Sequence, residues 1–102
     1  MEKYIPHCEL STVKDMLQAG KVRITTSALA GADALGLDFD EIISIVMALT
    51  PNDFYKSMTS YNNYKEWQDV YRPTTYVDEV YIEVYLKVIV VNDVLILSFK
   101  EL

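Results

Sequence analysis

VYIEVYLKVIVV, residues 80–91, runs into Asn92-Asp93 and then into VLILSFKEL, residues 94–102. Both runs alternate and are rich in β-branched residues, and Asn-Asp suits a two-residue reversal. With the turn on Asn92-Asp93, the spacing predicts Val90 opposite Leu95, Val88 opposite Leu97 and Leu86 opposite Phe99. Those pairs form one wholly apolar face. The other face pairs Ile89 with Ile96, Lys87 with Ser98 and Tyr85 with Lys100. Opposed residues share a side of a sheet, so a one-residue slip would turn the lysines into the core. One hairpin thus supplies a core face and a second face that turns polar away from the turn, where a tyrosine and two lysines converge.

The rest of the chain is read outward from this hairpin. Upstream, the period switches to two at Asp53. Phe54 to Ser60 reads as a strand, with Lys56 on the side of Phe54 and Met58. Residues 61–65 (YNNYK) form a polar turn. Glu66 to Arg72 reads as a second strand, with Gln68, Val70 and Arg72 on one side and Trp67, Asp69 and Tyr71 on the other. Pro73 to Glu79 loops into the long hairpin. Before the strands come three helices. The first runs Ser11 to Ala19, with Ser11 as N-cap and Gly20 at its end. Lys21 to Thr25 is an extended link. The second helix is capped by Thr26 or Ser27, carries Ala28, Leu29, Ala32 and Leu35 as its apolar stripe, and ends at Gly36. Asp38 and Glu41 form a capping box for the third, Phe39 to Leu49. Pro51 stops it, because the residue before a proline is pushed out of helical geometry. Three helices followed by about four strands in meander order predict an α+β fold, an antiparallel sheet with the helices on one face.

The totals agree with one folded domain, residues 1–102. Half the residues are hydrophobic, with only 3 Gly and 3 Pro, which leaves little room for linkers or disorder. No window approaches about 18 unbroken apolar residues, so no transmembrane helix is expected. The first residues lack the apolar stretch of a signal peptide. Cys8 is the single cysteine and has no internal disulfide partner, so a cytoplasmic protein is expected. The net charge is −6, and acidic residues outnumber basic ones in both halves. That balance argues against a nucleic-acid surface spread over the whole body, and leaves room only for a local basic pocket.

There is no glycine-rich phosphate loop, no nucleophile elbow and no metal-ligand spacing. His7 and Cys8 are neighbours without a second ligand pair, so no metal site is expected. His7 is the only histidine, which nearly excludes Ser-His and His-His mechanisms. What remains is a set of polar residues on strands: Lys56, Gln68, Arg72, Tyr85, Lys87 and Lys100. Each also has an ordinary reading. Lys56 can snorkel at a strand end, Gln68 and Arg72 can belong to a solvated face, and Tyr85 with Lys100 can be a cross-strand polar pair.

The motifs DFYKSMT, WQDVYRP and DVLI-SFK give that set a context. Together with MEK and PH at the start, TTSALAGADALGLDFD and VYLK, they make the chain resemble the MqsR family of bacterial type II toxins over most of its length. The resemblance implies a fold similar to the RelE and YoeB ribonucleases. It implies a metal-independent, ribosome-independent endoribonuclease that cuts single-stranded mRNA at GCU-type sites, with no cofactor. The family's lysine falls on Lys56 within FYKSMT and its glutamine on Gln68 within WQDVYRP. Its tyrosine falls on Tyr85, counting back from DVLI without gaps. Tyr81, in the other Val-Tyr pair, is the reserve candidate, and the chain reads as four residues longer after Pro73. The implied partner is an MqsA-type antitoxin, a dimer with a zinc-binding N-terminal domain and a DNA-binding C-terminal domain. The chain departs from the family at Asn92, where a histidine is frequent, and in being acidic where the toxins tend to be basic.

Metal-free RNA cleavage uses the RNA's own 2′-hydroxyl as nucleophile, so the protein must orient it, move protons and stabilise charge. With no histidine among the strand candidates, those tasks fall to Tyr and Lys, and a lysine among apolar neighbours and other cations can have its pKa lowered. Tyr85 is the candidate acid or base, Lys56 the charge stabiliser or proton donor, and Gln68 the orienting group. Arg72, Lys87 and Lys100 are candidate phosphate contacts. Tyr61, Tyr64 and Trp67 are candidate stacking partners for a splayed base, with packing the stronger reading for Trp67. The rival from another class is a non-catalytic protein-binding module on the same fold.

Overall fold

The computed structural model describes residues 1–63 and 65–102. Its helices are α1 (Leu10–Gln18), α2 (Thr26–Asp33) and α3 (Phe39–Met47). Its strands are β1 (Glu2–Lys3), β2 (Val22–Ile24), β3 (Phe54–Thr59), β4 (Trp67–Tyr71), β5 (Thr74–Val77), β6 (Val80–Val91) and β7 (Asp93–Glu101). This is the expected α+β class. The sheet runs β1-β3-β4-β6-β7-β2, with β5 hydrogen-bonded to the far end of β6. Every pairing is antiparallel except β2 with β7, which is parallel. The link expected at 21–25 therefore becomes an edge strand, and the sheet is mixed. No helix among the described residues is long and apolar enough to cross a membrane.

Helices α2 and α3 start where side chains cap them. Thr25, one residue before the expected caps, accepts from the Ala28 amide at 3.1 Å and donates its hydroxyl to the Leu97 carbonyl at 2.9 Å. It thereby fixes α2 to β7 as well as capping it. Asp38 and Glu41 form the expected capping box. Ser11 is not a cap: Glu9 holds the N-cap position of α1 and Ser11 lies inside the helix. Val13, Leu17, Ala28, Ala32, Ile42 and Val46 from the helices pack on Tyr71, Val84, Leu86, Val88, Val94, Ile96 and Phe99 from the sheet. The helices cover one face only. Helix α2 lies so close to β7 that a Cβ on Gly31 would come within 1.9 Å of the Phe99 carbonyl oxygen.

The hairpin register is the main correction to the sequence reading. The reversal centres on Asn92 alone (φ 66°), with Val91 opposite Asp93, Val90 opposite Val94, Ile89 opposite Leu95 and Val88 opposite Ile96. Near the turn every expected pair is therefore shifted by one. A β-bulge at Leu97 then absorbs the extra residue, and Lys87–Ser98, Leu86–Phe99 and Tyr85–Lys100 stand opposite one another as expected. A bulge places two residues against one and reverses the inside-outside parity beyond it. Val94 and Ile96 are thus buried in the core, while Leu95 and Leu97 are half-buried.

A second bulge, at Tyr55, corrects another expectation. Phe54 pairs with Tyr71 and Lys56 with Val70, so Tyr55 is the extra residue. Phe54 packs edge-on against Tyr71 on the helix side (centroids 5.5 Å apart), whereas Lys56 points to the uncovered face with Met58. The segment after Pro73 is also not a loop. Thr74–Val77 pairs with Val80–Glu83 as a hairpin, and Asp78 and Glu79 both take positive φ, as a tight two-residue turn requires.

Candidate active face

The strand registers bring most of the candidate residues to one side of the sheet. Lys56 stands opposite Val70, Val70 opposite Lys87 and Lys87 opposite Ser98, so a single row crosses β3, β4, β6 and β7. Gln68 lies two residues from Val70, and Tyr85 two residues from Lys87, on the same side by alternation. Tyr85 is opposite Lys100. Lys56, Gln68, Tyr85, Lys87 and Lys100 therefore share the face that the helices leave open. With strands about 4.8 Å apart, the Lys56 and Lys87 backbones stand about 10 Å apart across Val70. Long side chains can meet a common ligand there.

Val70 is fully buried although it belongs to this open face and not to the core cluster. It forms an apolar floor beneath the lysines. Burial on that floor, and after it the charge of Lys100, holds the Lys87 amine below the usual lysine range. Lys56 goes the other way. Its ammonium bonds the carboxylate of Glu2, and that hydrogen bond raises it above the usual range. Glu2 is lowered by the same contact, with Tyr4 adding a weaker hydrogen bond. Glu2 reaches Lys56 because β1 pairs with β3, Glu2 opposite Met58.

At the β4 end of the face, Arg72 lies 4.7 Å from the centroid of the exposed Tyr55 ring and 3.6 Å from the Glu83 carboxylate. The Lys56 ammonium is 5.3 Å from the same ring, and that of Lys100 is 5.3 Å from the ring of Tyr85. Arg72 thus joins the face through Tyr55.

A family model described as "Motility quorum-sensing regulator, toxin of MqsA" matches residues 5–101. The chain belongs to this MqsR toxin family. The mRNA interferase toxin MqsR of Escherichia coli (strain K12) is 54% identical to it over 101 residues, 99% of either chain. In this MqsR family chain the three residues expected to be catalytic, Lys56, Gln68 and Tyr85, share the open face with the expected phosphate contacts.

The remaining candidates are spread more widely. Tyr61 is fully exposed in the turn after β3. Tyr81 is exposed on the β5–β6 hairpin and packs against Tyr76 (centroids 4.8 Å apart), away from the Lys56–Lys87 row. Trp67 alternates onto the other side of β4. There His7 stacks on it and the Lys3 ammonium lies 4.2 Å from its ring. Its packing reading therefore fits better than a stacking role on the open face. Tyr64 lies outside the described residues. Among the described residues no three His, Cys, Asp or Glu side chains converge as metal ligands.

Three residues of the site escape sequence reasoning. Tyr55 is brought in by a bulge, and Glu2 and Glu83 by pairings with distant strands. A buried carboxylate also supports the site from below. Asp69 accepts the His7 amide at 2.9 Å and the Cys8 amide at 3.0 Å. It pins the segment that carries β1, and with it Glu2, to the sheet. Burial, and then the Asp69 charge, push the Cys8 thiol up, which makes it a poor nucleophile.

Proposed function

We propose that this chain is the toxin of a type II toxin–antitoxin pair and acts as an mRNA interferase, cutting single-stranded RNA on the open face of its sheet. The observation that carries this reading is the row Lys56–Val70–Lys87 with Tyr85, Gln68 and Lys100 on one face, in a family whose Escherichia coli relative is named an mRNA interferase toxin. The chemistry fits the residues. In the cleavage step the 2′-oxygen bonds to phosphorus and the P–O5′ bond breaks, leaving a 2′,3′-cyclic phosphate and a 5′-hydroxyl. One group takes the 2′-hydroxyl proton and another supplies a proton to the 5′-oxygen. Lys56, charged beside Glu2 in the empty protein, suits charge stabilisation and proton donation to the leaving oxygen. Tyr85 serves as acid or base beside the ammonium of Lys100. Gln68 orients a phosphate or base, and Arg72, Lys87 and Lys100 hold the backbone.

The reaction is metal-independent in this reading, as the family resemblance implies. Cleavage does not need the ribosome, and GCU-type sites are favoured, as the family resemblance implies. Tyr61 stacks on a splayed base. Inhibition comes from an MqsA-type antitoxin with a zinc-binding and a DNA-binding domain.

The test is cleavage of a defined mRNA by the purified chain in EDTA, mapped by primer extension. Discrete cuts lost in Lys56→Ala and in Tyr85→Phe support the proposal. Cuts lost instead with Tyr81→Phe move the catalytic tyrosine onto the hairpin. A folded wild-type chain that neither cuts RNA nor slows growth is a binding module.

A further inference from the structure

The open face carries four of the cations assigned to RNA, yet two of them are already occupied. Lys56 is paired with Glu2, and Arg72 with Glu83. In both pairs the cation is the fixed partner and the acid the movable one. The side chains of Lys56 and Arg72 are 19% and 33% exposed, those of Glu2 and Glu83 43% and 49%. The Tyr55 ring touches both cations, so the two pairs form one strip along β3 and the end of β4. Lys87 and Lys100 have no carboxylate at ion-pair distance among the described residues. A carboxylate offers a cation what a phosphate offers, paired oxygens sharing a negative charge. Pairs this exposed are individually weak and easily exchanged.

We infer that Glu2 and Glu83 are internal stand-ins for RNA phosphates, seated on Lys56 and Arg72 in the empty protein and displaced by the substrate backbone. Binding is then an exchange of carboxylate for phosphate. Lys87 and Lys100 make the first contacts, and Lys56 and Arg72 engage once their acids have rotated into solvent. This inference rests on the open face being the RNA-cleaving site.

The test uses the full chain and a single-stranded RNA with 2′-fluoro in place of the 2′-hydroxyl, which cannot be cleaved. Its Kd is measured from 50 to 200 mM salt for the wild type, Glu2→Gln, Glu83→Gln, their double variant, Lys56→Ala and Lys56→Ala combined with Glu2→Gln. Each glutamine variant is expected to bind two- to fivefold more tightly, and the two effects multiply. The slope of log K against log salt should steepen by up to about 0.7 for each carboxylate removed. Asp40→Asn on α3 makes the same change in net charge away from the face and should leave Kd unchanged. The gain from Glu2→Gln should vanish in the Lys56→Ala background, since the two act as a pair. Binding that needs Lys56 but ignores or suffers from Glu2→Gln overturns the inference alone. A folded chain whose binding is absent, or indifferent to Lys56, overturns the RNA reading with it. Thermal melts of the glutamine variants, both at exposed positions, check that the fold is intact.

Discussion

Lys56 and Lys87 lie in one row of the sheet and carry opposite electrostatic loads. A carboxylate raises the first; an apolar floor and a neighbouring ammonium lower the second. In lysine-selective NMR titration, Lys87 should lose its proton at lower pH than Lys56, and Lys100→Gln should move Lys87 back toward the ordinary value. The linkage sign follows. Lys87 titrates lower in the folded chain than in the unfolded one, so the unfolded state holds the proton more tightly. Its contribution to stability therefore rises with pH up to the ordinary lysine range. Removing the charge is expected to help the fold and to harm function. Lys87→Met should gain about 0.5–1 kcal/mol in urea titration at pH 7 while cleavage falls at least tenfold, the exchange common at functional sites. Tyr71 gives a second prediction of this kind. Its hydroxyl is buried with no hydrogen-bond partner among the described residues, and burial pushes it up to about 12. The folded chain therefore keeps a proton that the unfolded chain releases near pH 10, and that contribution to stability is lost between pH 10 and about 12. Tyr71→Phe should be about 1 kcal/mol more stable at pH 7 and should flatten the loss above pH 10. A destabilised variant would show that the hydroxyl has a partner.

At the scale of elements, the β6–β7 hairpin shows what a sequence can and cannot carry. Alternation gave Tyr85, Lys87 and Lys100 their correct partners, yet the pairs at the turn end were one residue off. The reason is local: Asn92 adopts positive φ and closes the turn by itself, and the bulge at Leu97 restores the register. Two such offsets cancel beyond the bulge, so the site was legible although the core face near the turn was not. Nothing in VLILSFKEL marks Leu97 as the extra residue. What holds it is the Thr25 hydroxyl on its carbonyl, a contact between residues 72 apart in sequence. The turn itself can be tested. A β-branched side chain is strained at positive φ, so Asn92→Val should cost about 1–2 kcal/mol, while Asn92→Gly should be nearly neutral. Equal midpoints for the two variants in urea would show that Asn92 does not hold that conformation in solution. Asp69 plays a comparable part for β1, since two amides of the incoming segment depend on its carboxylate. Asp69→Ala leaves both without an acceptor and should cost about 2–3 kcal/mol. Faster hydrogen exchange at His7 and Cys8 would accompany it, as would a fall in Lys56 pKa once Glu2 is released. Neither Glu2 beside Lys56 nor Asp69 beneath His7 and Cys8 was readable from the chain, because each depends on which distant segments lie next to one another.

At the scale of the whole molecule, an acidic body carries a small cationic face, and the charge balance sets how it meets RNA. The net charge of −6 repels a phosphate backbone at long range. On the proposed RNA face, contact would depend on a few lysines and one arginine set on a hydrophobic floor. A basic toxin would engage many phosphates and weaken steeply with salt. Here the two lysines without a carboxylate partner among the described residues, with Lys56 and Arg72 each adding part of a contact as phosphate replaces carboxylate, give two to three phosphate contacts. At about 0.7 per contact on a single strand, the slope of log K against log salt is about −1.4 to −2.1. Raising salt from 50 to 200 mM should then weaken RNA binding by only about seven- to twentyfold. Measuring kcat/KM on a short single-stranded substrate over the same range checks this, provided chemistry rather than encounter limits the rate. A loss of a thousandfold would mean that the RNA follows a much longer cationic path than the Lys56–Lys100 face. No loss at all would mean that stacking on Tyr61 and Tyr55, rather than charge, provides the affinity, and substitution of those rings by alanine would then weaken binding more than Lys87→Met does.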